Sequence, residues 1–196
     1  MLAVFGTLWG AAEIGLGSVL HAVNIPMSGA VLSAVGLGVA LSGRLFVPRR
    51  GSILFVGVIA MVLKLFSIGG IVLGPMVGIL AEALVAEIVL LPFRRPSRLS
   101  FVLAGGLGVC WTFVQPFLTG MALFGRGLLV VWADWLQEGG RFVGLDGSEA
   151  VLWIVSFLVG SHLLIGGLAG WTAWGAGRVL LKRSGAMDRE GFGNGG

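Results

Sequence analysis

The chain has 196 residues, of which 57% are apolar and only 11% are charged. A soluble domain carries about 25% charged residues, so this composition excludes an ordinary soluble domain and predicts that lipid covers the surface. The net charge of +4 does not indicate a nucleic-acid-binding protein, because the basic residues lie in short clusters between apolar runs. The single cysteine, Cys110, excludes a disulfide framework.

The apolar residues form six runs, and a membrane-spanning helix needs about 20 of them in succession. In chain order the runs cover residues 2–20, 27–46, 52–68, 71–93, 99–124 and 149–182. The first run has no basic segment before it, so we expect a helix rather than a cleaved signal peptide. The predicted fold is an all-α integral membrane protein, a single six-helix domain over residues 1–183. The polar, Gly-rich residues 184–196 predict a disordered cytoplasmic tail.

One long connection separates the fifth run from the sixth, between Gly125 and Ser148. Its apolar part, Leu128 to Leu136, is too short to span a bilayer. Because this part contains Trp132 and Trp135, we expect a helix that lies at the membrane interface.

Positive charges follow the second, fourth and sixth runs in three clusters: Arg44, Arg49 and Arg50; Arg94, Arg95 and Arg98; Arg178, Lys182 and Arg183. Alternating connections of a six-helix bundle place all three clusters on the same side of the membrane. Basic connections mark the cytoplasmic side, so the N and C termini are predicted to be cytoplasmic. The expected location is the plasma membrane of a bacterium or archaeon, with the other connections facing outward.

Few polar side chains interrupt the predicted spans, and each ionisable one is costly in lipid. They are Glu13, Lys64, Glu82, Gln115 and His162, on five different helices at comparable depth. An outward-opening cavity would gather them around a small-molecule ligand, which Trp111 could contact by stacking. The alternative is a set of interhelical hydrogen bonds that fix the packing, with Trp111 a core residue.

Small residues form a stripe on the first predicted helix, at Ala3, Gly6, Gly10 and Gly17. Such a stripe permits close approach of another helix, either within the chain or in a separate subunit. Glu13 lies about 60° from this stripe, so it could face the ligand or the partner. The sequence contains no HExxH, GxSxG, Walker motif or acidic metal cluster, and we predict neither an enzyme, a metal site nor a cofactor.

Two short segments add a family resemblance to this pattern. A turn, His21-Ala-Val-Asn-Ile-Pro26-Met-Ser-Gly29, joins the first two runs, and Gly74-Pro75-Met-Val-Gly78-Ile-Leu-Ala-Glu82 opens the fourth. With six helices, cytoplasmic ends and a small-residue stripe, the chain resembles the S component of energy-coupling factor (ECF) transporters to about Lys182.

This resemblance implies a substrate-binding subunit for uptake of a vitamin or related micronutrient, working with a membrane T subunit and two ATPases. It also implies an outward pocket and a docking role for Gly6 and Gly10 at the T subunit. The alternative is a self-contained secondary transporter or channel that uses the intramembrane carboxylates.

Overall fold

The computed structural model describes residues 1–23, 27–66, 73–93, 96–125, 127–142, 144 and 147–184. Within these residues all regular structure is helical, in seven α-helices. They are α1 (Leu2–Ala22), α2 (Ser28–Phe46), α3 (Ser52–Lys64), α4 (Leu73–Leu90), α5 (Arg98–Phe124), α6 (Gly127–Phe142) and α7 (Gly147–Arg183). The sequence also predicts a break at Gly69-Gly70 after the third run. This break, Arg94, Arg95 and all but Ser184 of the predicted tail lie outside the described residues.

Five of these helices, α1, α2, α4, α5 and α7, are long and apolar enough to cross a membrane. Their outer faces expose large apolar side chains such as Ile88, Leu107 and Phe157, which is the surface that a lipid environment favours. The described part of α3 has 13 residues, fewer than the predicted run of 52–68. It rises only about 20 Å, which is less than the hydrocarbon thickness.

Helix α2 occupies the centre of the bundle. It contacts α1, α3, α4, α5 and α7, and α6 packs on α5 and α7. Leu37, Ala40 and Leu41 of α2 are fully buried. Helices α5 and α7 approach each other closely. A Cβ added to Gly105 of α5 or Gly170 of α7 would overlap the backbone of the other helix. Glycine at these positions therefore permits the backbones to touch.

A buried ion pair fixes the end of the bundle where α2 and α4 finish and α3 begins. Arg44 Nη1 lies 3.4 Å from Glu87 Oε1 and donates a hydrogen bond to Ser52 Oγ at 3.0 Å. Glu87 accepts backbone N–H bonds from Gly51 at 2.7 Å and Ile53 at 3.0 Å, so its carboxylate caps α3. The sequence predicts that Glu87, near the cytoplasmic end of its run, pairs with an arginine of a connection, and its partner here is Arg44 near the end of α2. The cap of α3 was not predicted, because it joins residues that are 34 and 36 positions apart.

Three further helix ends lie at this same end of the bundle. Phe5 packs on Phe46 with ring centroids 5.4 Å apart, and Phe101 packs on Trp174 at 5.1 Å. The start of α1, the end of α2, the start of α5 and the end of α7 thus lie together. The described basic residues of the three clusters all lie here, and we call this the basic end: Arg44, Arg49, Arg50, Arg98, Arg178, Lys182 and Arg183.

Candidate functional site

A cavity of about 370 Å³ lies between α1, α2, α3, α4 and α5, in the half of the bundle opposite the basic end. Pro75, Pro116 and Thr119 at its edge are exposed, so the cavity reaches the protein surface. Its polar wall consists of side chains from all five helices: Glu13, Ser33, Lys64, Glu82, Thr112 and Gln115. Four of the six candidate binding residues identified from sequence therefore surround one space.

Glu13 and Lys64 form an ion pair on this wall. Lys64 Nζ lies 3.2 Å from Glu13 Oε2 and donates a second bond to the backbone carbonyl of Glu13 at 3.1 Å. The other carboxylate oxygen accepts a bond from Trp9 Nε1 at 3.4 Å. Trp9 is fully buried, and its indole contacts Gly36, where any side chain would overlap the ring. Both oxygens of Glu13 therefore have partners within the protein, and Trp9 belongs to the core.

Glu82 lies on the same wall without such compensation. Glu82 is 4% exposed, and Ser33, which is 2% exposed, lies beside it. Neither Glu82 Oε2 nor Ser33 Oγ makes a hydrogen bond of ordinary geometry to another described residue. A buried polar atom without a partner is costly, and it marks a place where water or a ligand binds.

Gln115 fixes the edge of the cavity between α4 and α5. Its Nε2 donates a hydrogen bond to the carbonyl of Gly74 at 2.8 Å. The side chain also lies against Gly78, where an added Cβ would be 2.8 Å from Gln115 Oε1. Pro116, the next residue, has no N–H to donate to the carbonyl of Thr112 one turn earlier. The glycine and the proline together leave space and acceptor groups at this edge.

His162 and Trp111 lie outside this cavity. His162 is buried on α7, with Nδ1 2.7 Å from the carbonyl of Leu158 and its ring 5.7 Å from that of Phe113. The first contact lies within α7, and the ring contact packs α7 against α5. Trp111 is partly buried, and its Nε1 has no hydrogen-bond partner among the described residues. Neither side chain lines the cavity that the other four candidates surround.

The small-residue stripe of α1 packs against α3 inside the chain. A Cβ added to Gly6 would lie 2.6 Å from Ile59 Cβ, and one added to Gly10 would lie 2.8 Å from Leu63 Cβ. Both glycines are buried. Of the two alternatives for the stripe, the structure therefore favours the internal contact, because α3 covers the surface that a separate subunit would need.

Ser33 is a cavity residue that the sequence pattern did not predict, because a hydroxyl carries a smaller penalty in lipid than an ionisable group. Trp9, a deep tryptophan for which the sequence favours core packing over stacking on a ligand, is buried and supports Glu13. Trp9 and Glu13 are four residues apart, which places them on one helix face. That spacing could have predicted the hydrogen bond between them.

The cavity has the composition of a small-molecule binding site, with apolar walls and a few convergent polar groups. Among the residues that the structure describes, no group of three or more His, Cys, Asp and Glu side chains could hold a metal ion. In comparisons with known protein families, curated proteins and solved structures, none matches this chain.

Proposed function

We propose that this chain is a membrane-embedded substrate-binding subunit for uptake of a vitamin or related micronutrient. The proposal rests on one observation, the cavity that helices α1 to α5 surround. Its volume of about 370 Å³ lies in the lower part of the range for drug-sized ligands, about 300–1,000 Å³. Two buried polar atoms of its lining residues, Glu82 Oε2 and Ser33 Oγ, have no hydrogen-bond partner among the described residues.

In the proposed topology six segments cross the membrane, with the basic end in the cytoplasm. The clustering of Arg and Lys at one end of the bundle supports this orientation. The cavity, in the opposite half, then opens outward, where a substrate-binding subunit meets its ligand. The proposal counts the predicted run over residues 52–68 as one of the six crossings, of which the structure describes residues 52–66.

Coupling to ATP requires partner subunits, because the sequence has no Walker motif. By its resemblance to ECF S components, the chain would work with a membrane T subunit and two cytoplasmic ATPases. The T subunit would contact a surface other than Gly6 and Gly10, because these residues pack on Ile59 and Leu63 of α3.

A self-contained secondary transporter is the second candidate. Glu13, Lys64 and Glu82 line one cavity, and buried carboxylates in a transporter can bind and release a proton or cation. The two candidates differ in their energy source, since a substrate-binding subunit depends on ATP and a secondary transporter on an ion gradient.

Uptake from a defined medium in the native host separates these candidates. Cells with and without the gene are compared for depletion of each small molecule, measured by mass spectrometry. Arsenate lowers cellular ATP, whereas valinomycin with nigericin collapses ion gradients. Gene-dependent uptake that stops with arsenate and continues with the ionophores is the expected result. Uptake with the opposite sensitivity would replace the proposal with the secondary transporter.

A further inference from the structure

The buried carboxylates that the structure describes are each paired with a cation, with one exception. Among the described residues three glutamates are buried: Glu13, Glu82 and Glu87. Glu13 is paired with Lys64 and Glu87 with Arg44. No described cation pairs with Glu82, although it is as deeply buried as the other two. A charged carboxylate at this depth is stabilised by an opposite charge, and none of the described residues supplies one to Glu82.

Several hydrogen-bond donors of the cavity wall already have acceptors within the protein. Gln115 donates to the carbonyl of Gly74, and Lys64 donates twice to Glu13. The hydroxyls of Thr112 and Thr119 donate to carbonyls of their own helix. Glu82 Oε2 is a buried acceptor on the same wall that has no hydrogen-bond partner among the described residues. A ligand group that donates hydrogen bonds would supply this acceptor with the partner it lacks.

The geometry points to an organic cation as the ligand class of this cavity. We propose that a protonated amine or amidinium group of the ligand contacts the Glu82 carboxylate, with the Ser33 hydroxyl beside it. The Glu13–Lys64 pair is neutral as a unit, so Glu82 supplies the charge that selects the ligand. This inference rests on the proposed function, because it names the chemistry of the same cavity.

Benzamidine and benzoate form a matched pair of probes for this site, because they share size and shape and differ in the sign of their charge. Binding of each to the purified, detergent-solubilised protein is followed by ligand-observed NMR titration. Benzamidine is expected to bind at least about tenfold more tightly than benzoate, since its amidinium can donate two bonds to one carboxylate. Glu82→Gln should weaken benzamidine binding about 10- to 100-fold. The matched control is Glu138→Gln, at an exposed position of α6 outside the cavity, and it should leave binding unchanged.

The preference between the probes tests the inference even where Glu82→Gln fails to fold, because it is measured on the unaltered chain. Ser33→Ala provides a second variant, and it should weaken benzamidine binding while leaving that of benzoate unchanged. Equal or tighter binding of benzoate, no binding of benzamidine, or a folded Glu82→Gln variant with unchanged affinity would each overturn the cation site. The proposed uptake function stands or fails separately, on whether the chain retains any small molecule and on the energy dependence of uptake.

Discussion

Lys64 Nζ lies 3.2 Å from Glu13 Oε2 and joins the end of α3 to the middle of α1 on the wall of the cavity. This pair neutralises two of the three ionisable side chains that line the cavity. Glu82 is the third, and no described cation lies within ion-pair distance of its carboxyl group.

The effects of Glu13 and Lys64 on the free energy of unfolding are predicted to be coupled. Lys64→Met should lower the free energy of unfolding by about 3–5 kcal/mol, because it leaves the carboxylate of Glu13 buried without its cation. The double variant Glu13→Gln with Lys64→Met should recover much of this loss. Thermal unfolding of the four proteins of the cycle in detergent measures the coupling. Additive effects in the double variant would show that the two residues act independently.

Glu87 is predicted to stabilise the basic end without affecting the cavity. Glu87→Gln removes the charge that pairs with Arg44 and weakens the cap of α3, so we expect a loss of about 3 kcal/mol or more. Ligand binding by the protein that remains folded should be unchanged. Thermal unfolding and a binding titration provide the two readouts, with Glu138→Gln as the exposed control. Stability equal to that of the control would contradict the role assigned to this ion pair.

Gly6 and Gly15 provide a matched test of the α1–α3 contact. Gly6→Ala places a Cβ against Ile59, and overpacking of this kind costs about 1–3 kcal/mol. Gly15→Ala, on the same helix with nothing within 4 Å of the new Cβ, should be neutral or stabilise by up to about 1 kcal/mol. Thermal unfolding in detergent compares the two variants. Equal stabilities would indicate that α3 does not cover Gly6.

The proposed orientation predicts which positions are accessible from outside the cell. After replacement of Cys110, a cysteine at Gly144, in the connection between α6 and α7, should react with an impermeant thiol reagent in intact cells. A cysteine at Arg50, in the exposed connection between α2 and α3, should react only after lysis. The opposite pattern of labelling would reverse the orientation and place the cavity on the cytoplasmic side.

Long apolar runs determine how much of this fold could be predicted. The sequence predicts helices over 99–124 and 149–182, and the structure has them over 98–124 and 147–183. Uninterrupted apolar runs of this length have few alternatives to a helix. The described α3 ends at Lys64 rather than Ile68. The interfacial segment expected over 128–136 is part of a longer helix, α6, which has 16 residues.

The orientation of each helix about its own axis could not be predicted from the sequence. Depth alone placed Glu13, Lys64, Glu82 and Gln115 at a common level, and the structure brings them together. The same criterion selected His162 and Trp111, which lie elsewhere. In a membrane bundle the lipid-facing and core-facing sides are both apolar, so the pattern does not reveal which way a lone polar residue points. Only the packing of α5 against α7 decides that His162 contacts Phe113.

Native mass spectrometry of the purified chain tests the central claim most directly, that the cavity holds a small organic molecule. The unaltered protein is expected to retain one such molecule per chain. Thr119→Trp, at the exposed edge of the cavity, should abolish retention by filling the space. Thr7→Trp is the matched control, because Thr7 is also exposed and bonds its own helix in the same way, and it should retain the molecule. Retention by Thr119→Trp equal to that of the unaltered protein, or no retained molecule in any of the three proteins, would contradict the account.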